Sequence, residues 1–412
     1  MKKLQNILLS LLIFTLAFLS PITLSSPNIA YAQITPKTTL KVALFPYIPD
    51  SAQDNFQTLL NRIESEFESQ NPKVDLVLRP LNPVQDDFYD INTLKQWLSN
   101  SAVNDGYDLV EIDTLLLDDL VKANLIQPWY YPDNIQDWIP TGLRAVTING
   151  KTYGVPHLLC GHFIFARDEK IVKTTSLKDL LTILIQITPD IPNLGGDLTG
   201  SWNLPALYLD SWADINGTEE VSQALIPQID EKVFPYFQAF TKNCQVAASC
   251  FDTNDEDSKD IGAEAFINHQ VDAFFGYSER LNYLFKDKID PQVKIASLPL
   301  GRDSNPLLFT DALVLRQDCN YDCQYAARKF ATYLNQPATQ EWILSSKDAG
   351  KNAVPRYLIP ATYSAFATPS LAQNSYYQTL KETVKNAAPY PNSGFPEVRK
   401  KLKNLILQKL QS

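Results

Sequence analysis

Histidine is scarce in this chain, with three residues in 412, and no two of its five cysteines stand in a CxxC spacing. That combination leaves no convincing ligand set for zinc, and no metal is expected. Internal repeats and low-complexity tracts are absent too. Beyond the first 32 residues, no segment is apolar for long enough to cross a bilayer. Positive charge is also in deficit, with 36 basic against 46 acidic residues. An acidic surface repels nucleic acid and anionic lipid and draws a cationic ligand. Neither nucleic acid nor a membrane surface is therefore an expected partner.

What is present begins with an address. Lys2 and Lys3 open the chain, Ile7 to Leu19 form a short apolar run, and Ala30-Tyr31-Ala32 supplies small residues for cleavage before Gln33. Residues 1–32 are expected to be a signal peptide, the alternative being an uncleaved anchor. The mature protein is then secreted or periplasmic. Losing Lys2 and Lys3 leaves 34 basic against 46 acidic residues, a net charge of −12. About 380 residues suffice for two domains. In an oxidising compartment the economical pairings are Cys244 with Cys250 and Cys319 with Cys323, which leaves Cys160 as the odd thiol.

Apolar strands alternate with helical patterns at the start. Leu40 to Phe45 reads as a strand, Phe56 to Phe67 as a helix, Val74 to Leu78 and Tyr107 to Ile112 as strands, and Leu115 to Leu125 as a helix. This order implies parallel βαβ units, whose ligands bind beyond the carboxyl ends of the strands. Tyr47 and Asp113 stand at such ends. Asn149-Gly150 signals a hairpin. Tyr153-Gly154-Val155-Pro156 then leads into a strand from His157 to Arg167, an arrangement that resembles extracellular solute-binding proteins, where such a segment carries the chain from one lobe to the next. The expected architecture is α/β, two-lobed and of the periplasmic-binding-protein type (type II-like), with a ligand cleft between the lobes. Residues 33–155 would begin the first lobe, 156–275 the second, and 276–412 would return to the first with C-terminal helices shared across both. Residues 168–270 read as mostly helical around a polar Gly195–Ser201 interruption. Strands are expected at Val271–Tyr277, Val293–Leu298 and Leu307–Leu315, and mainly helix from Cys323 onward.

Cys160 lies just after the crossover segment. It is either a small buried hydrophobe, as lone cysteines usually are, or a nucleophile, with Gly161 leaving room for close approach. On a regular strand His162 shares its face two positions along and His157 points to the other, while His269 precedes a strand. A Cys–His protease couple is thus disfavoured. Glu279, after Tyr277-Ser278, is the better base; the plain structural reading is Ser278 as a helix cap with Glu279 in the first turn, and both readings can hold together. Asp113 could be only a helix cap. Asp311 sits within an apolar run, where a carboxylate must pair, protonate or face a polar cavity, and the cleft is the expected surrounding.

Leu40 to Asp50, Leu158-Leu159-Cys160, Tyr208-Leu209-Asp210 with Asp214 to Gly217, Gly276-Tyr277-Ser278-Glu279 and Leu308-Phe309-Thr310-Asp311 together resemble thiaminase I (thiamine pyridinylase). The matches run in order over most of the mature chain. The resemblance implies the two-lobed binding-protein fold and displacement of the thiazole of thiamine by an organic base or thiol. It implies Cys160 as nucleophile and Glu279 as general base, with Tyr47, Asp113, Tyr277 and Asp311 lining the pyrimidine pocket. Phe45 and Phe309 stand where that family usually has tyrosine, keeping an aromatic face without its hydroxyl. Thiamine is then substrate, a nucleophilic co-substrate is required, no cofactor is implied, and a monomer is expected. The role could be thiamine degradation or salvage. A binding protein that delivers thiamine or a related pyrimidine to a transporter is the alternative, separated from the enzyme by the Cys160–Glu279 pair.

Overall fold

Three parallel strands build the first part of the sheet: β1 (Thr38–Leu44), β2 (Val74–Pro80) and β3 (Leu109–Asp113). β1 pairs with β2 along its length and with β3 at Val42 and Ala43. Between β1 and β2 the helix Gln57–Gln70 turns Leu59, Leu60, Ile63 and Phe67 inward, the spacing that puts apolar side chains on one helical face. The computed structural model describes residues 37–44, 47–81, 86–99, 106–129, 133–189, 193–244, 250 and 261–411. The expected signal peptide and Phe45 lie outside them.

β4 (Gly154–Ala166) is the organising strand. It has 13 residues, about twice the common strand length. Shorter strands complete the sheet: β5 (Leu194–Gly195), β6 (Ala273–Tyr277), β7 (Lys294–Ser297), β8 (Leu307–Leu315), β9 (Ile359–Pro360) and β10 (Ala388–Pro389). The main order is β2-β1-β3-β8-β4-β6-β5. β8 enters antiparallel between β3 and β4, so the sheet is mixed; parallel pairing holds for the opening strands and returns where β5 meets β6 and β8 meets β10. Residues 154–161 of β4 face β8, and 162–166 face β6, with β7 on the other side of 163–166. β4 therefore belongs to both halves of the sheet.

Two apolar clusters lie along it. One gathers the helices Gln57–Gln70 and Tyr321–Leu334, the other the helices Leu177–Ile187, Asn203–Asn216 and Phe234–Lys242, and Cys160 packs against both. The hairpin forms as read, with Thr147–Ile148 paired to Lys151–Thr152. Asn149 and Gly150 have φ of 50° and 74°, the two left-handed residues that a type I′ turn demands. Both disulfides are present, with Cα separations of 5.6 and 5.5 Å, and Cys160 is a free thiol.

Register in β4 departs from regular alternation at one point. Asp311 pairs with Leu158 but Ala312 pairs with Pro156, so His157 is an extra residue, a β-bulge. A bulge re-aims the side chain it inserts. His157 Nδ1 lies 2.5 Å from Glu111 Oε1 of β3, on the Asp311 side. The expectation that His157 points away from that face is corrected, because alternation does not survive an inserted residue. Gly161 is corrected as well. A Cβ there would meet Leu308 Cδ2 at 2.6 Å and the Leu307 carbonyl oxygen at 2.8 Å. Its space serves the close approach of β8, not of a ligand.

Candidate active site

Cys160 is the midpoint of β4 and the one residue of that strand that is not fully buried. Its register partner is Phe309 of β8, so the two side chains share a face. Two residues on, Asp311 occupies the same face opposite Asp113 of β3. Asp113 accepts the Leu115 N–H at 3.0 Å and the Tyr89 hydroxyl at 2.9 Å, so the capping reading holds and the carboxylate is at the site too. Glu279 follows β6 as the N-cap residue of the helix Arg280–Leu284, with no capping bond from its side chain. Ser278 is not the cap. Its hydroxyl lies 3.5 Å from Glu279 Oε2.

These groups act on one another through little water. Burial pushes the Cys160 thiol well above its ordinary range, and the charges of Glu279, Asp311 and Asp113 push it further. Burial raises Glu279 to about 7. Burial also raises Asp113 to about 6, against the lowering effect of its bonds from Leu115 and Tyr89. Asp311 is held well above the carboxylate range by burial, then by Glu111, Asp113 and Glu279. A resting thiol amid acids is a poor thiolate. It needs a base beside it and a positive charge brought by something else.

Aromatic rings wall the site. Phe309 stacks on Tyr390 at 3.9 Å and meets Tyr277 edge-on at 5.7 Å. Tyr47 is the most open of the expected residues at 38%, packs against Phe88 and Tyr89, and lies within electrostatic reach of Asp113, Asp311 and Cys160. The buried guanidinium of Arg356, paired with Asp348, donates to the Pro49 carbonyl at 2.9 Å, which pins the chain just past Tyr47. The structure thus gathers Cys160, Glu279, Asp113, Asp311, Tyr47, Tyr277 and Phe309.

Several neighbours carry no signal in the sequence. His162 Nδ1 is 2.7 Å from Asp210 Oδ2, Tyr390 donates to Asp210 Oδ1 at 2.6 Å, and the His162 ring stacks on Tyr277 at 4.5 Å. Tyr277 donates to Asn203 Oδ1 at 2.8 Å, and the adjacent Trp202 meets Tyr89 at 4.1 Å. The exceptions are His162, which the strand pattern puts on the Cys160 face, and Asp210, in the Tyr208-Leu209-Asp210 segment. Asp214, from the same helix, is structural and accepts the N–H groups of Leu300 and Asn305 at 2.7 and 2.5 Å. The histidines do not make a protease couple: His157 is bonded to Glu111, His162 to Asp210, and His269 is exposed.

The family model of the bacterial extracellular solute-binding proteins matches residues 65–381. The chain belongs to that family. It is 26% identical over 412 residues to Thiaminase-1 of Paenibacillus thiaminolyticus, spanning 96% of this chain and 93% of the relative. Clostridium botulinum thiaminase I, solved in complex with thiamin, superposes with a TM-score of 0.69 at 21% identity, over 90% of this chain and 100% of that one. The GacH receptor of Streptomyces glaucescens, solved unliganded and with acarbose, gives 0.63 at 17%, over 90% and 94%. The fold is the two-lobed α/β fold of periplasmic binding proteins, shared by thiaminase I and by sugar receptors. Within this solute-binding family, a free cysteine ringed by carboxylates is a chemical feature that a carrier has no evident need for.

Proposed function

We propose that this chain is an exported thiamine-cleaving transferase that displaces thiazole by an organic base or thiol through a covalent pyrimidine–Cys160 intermediate. The observation that carries the reading is the single accessible position of β4: a free thiol with Glu279, Asp311 and Asp113 all within electrostatic reach. The likeness to Thiaminase-1 over nearly the whole chain supports it.

The chemistry follows from the charges. Thiamine brings a thiazolium cation, which offsets the carboxylates and favours ionisation of Cys160. Glu279, balanced near neutrality, takes the thiol proton. The thiolate adds to the pyrimidine ring, made electron-poor by contacts from Asp311 and Asp113. Thiazole then leaves as a neutral molecule with the electron pair of the methylene–nitrogen bond. Glu279 releases the first proton to solvent, an incoming base or thiol bonds to that methylene and passes any proton it loses to Glu279, and the ring expels the Cys160 thiolate, which takes that proton back. Dividing one displacement into two is what a cysteine nucleophile contributes.

Mass spectrometry after exposure to thiamine tests this directly. The expected result is free thiazole and a pyrimidinylmethyl adduct on the Cys160 peptide, absent in Cys160→Ser. Intact thiamine recovered from an equimolar complex, with an unmodified peptide, establishes the carrier role that family membership also allows.

A further inference from the structure

Behind the site lies an acid–imidazole pair that the chemistry above does not use. Glu111 and Asp113 occupy alternate positions of β3 and so turn to one face, where Asp311 stands opposite Asp113. The bulge brings His157 to the same place, and its 2.5 Å separation from Glu111 Oε1 is that of a short, charge-assisted hydrogen bond. All four are shut from water: His157 is 0% exposed, Glu111 1%, Asp113 6% and Asp311 6%. Three carboxylates on adjoining strands do not all ionise in such surroundings, because like charges raise one another's proton affinity and no solvent screens them. Partners decide which one keeps its proton. Asp113 is held as an acceptor by Leu115 N–H and the Tyr89 hydroxyl, and Glu111 by the imidazole. Asp311 faces the negative charges of Glu111, Asp113 and Glu279, with Cys160 and the Tyr47 and Tyr89 hydroxyls also in reach.

We propose that Glu111, gripped by His157, is a positioning residue whose negative charge keeps a proton on Asp311, so that Asp311 offers an aminopyrimidine a donated hydrogen bond. The inference rests on Asp311 lining the proposed thiamine site and adds the pair behind it. A neutral acid donating to a ring nitrogen draws electron density from the ring, which addition of a thiolate requires. The proton stays with or returns to Asp311 when the ring expels Cys160.

The test is calorimetric binding of the aminopyrimidine half of thiamine, corrected for protonation of its own ring nitrogen, to the full chain carrying Cys160→Ser, from about pH 5 to about pH 9, a range that brackets raised carboxyl groups. Affinity should fall as pH rises and Asp311 loses its proton. Glu111→Gln should move that fall to lower pH by roughly one unit, about tenfold in affinity on the shifted limb. Asp311→Asn replaces the acid O–H donor by an amide N–H donor, so affinity at low pH should stay within about threefold of the parent. Adding Glu111→Gln to Asp311→Asn should leave the profile where it is, since the coupling partner is gone. An unshifted profile in folded Glu111→Gln overturns the assignment, and so does a tenfold or greater loss in Asp311→Asn at low pH. If Glu111→Gln does not fold, a tenfold or greater loss in Asp311→Asn still overturns the assignment. A parent chain that binds neither thiamine nor its aminopyrimidine half defeats the proposed function, and the inference with it. Binding with the wrong profile defeats the inference only.

Discussion

At the scale of single residues, Glu279 shows how one carboxylate serves two demands. Its position after a strand and before a short helix was legible in the sequence. The cap was not, since Ser278 and Glu279 are adjacent and either could take that position. Held neutral up to about 7, Glu279 is a competent base only as pH rises through that value, so kcat/KM should climb there. Glu279→Gln should lower turnover by about 10²–10⁴-fold with thiamine affinity nearly unchanged. Turnover within a few-fold of the parent would place the base elsewhere. Stability supplies a second readout. The folded pKa is raised, so the unfolded chain binds fewer protons than the folded one between the ordinary carboxyl value and about 7. This contribution to stability is full below the ordinary value and is lost as pH rises through about 7. Glu279→Gln should therefore match the parent's Tm near about pH 4 and exceed it by roughly 2–4 °C near about pH 8. Equal Tm at both ends would show that Glu279 is not held neutral by the fold.

At the scale of elements, β8 reads from sequence without error because a nine-residue run that is apolar at all but Thr310 and Asp311, set between Pro306 and Arg316, has few other homes. The strand β4 was legible too, but its register was not. A bulge of one residue leaves no trace in an apolar run, and it alone carries His157 to Glu111. Contacts between distant segments were equally hidden: Tyr390 on Asp210, and Tyr89 on Asp113 and Trp202. They depend on where helices dock, which local pattern does not encode. Gly161 makes the point testable. Its missing Cβ admits Leu308 and the Leu307 carbonyl, so Gly161→Ala should force β4 and β8 apart beside Cys160. The expected cost is about 1–3 kcal/mol, measured by denaturant unfolding, with loss of turnover in the folded fraction. A variant as stable and active as the parent would show that the strands separate at no cost.

At the scale of the whole molecule, the acidic balance of the chain and the cluster of carboxylates point the same way, toward a ligand that arrives with positive charge. The two-lobed plan was legible from element order, whereas the return of β8 in antiparallel sense was not, because strand direction within a sheet is fixed by the crossover path. That return has a consequence for motion. Closure of two lobes needs something that does not move. β4 is bonded to β8 at one end and to β6 and β7 at the other, so it is expected to act as a fulcrum for closure, with the thiol at its centre. A fulcrum strand opens only when the protein unfolds globally. Its amides from Leu159 to Ile164 should be among the slowest in the protein to exchange hydrogen for deuterium, with or without thiamine. Protection gained on binding should instead appear around Tyr89 and Trp202, whose rings meet at 4.1 Å and join one apolar cluster to another. Fast exchange in β4, or protection confined to it, would mean that the reacting cysteine travels with a lobe and must find its partner anew in every turnover.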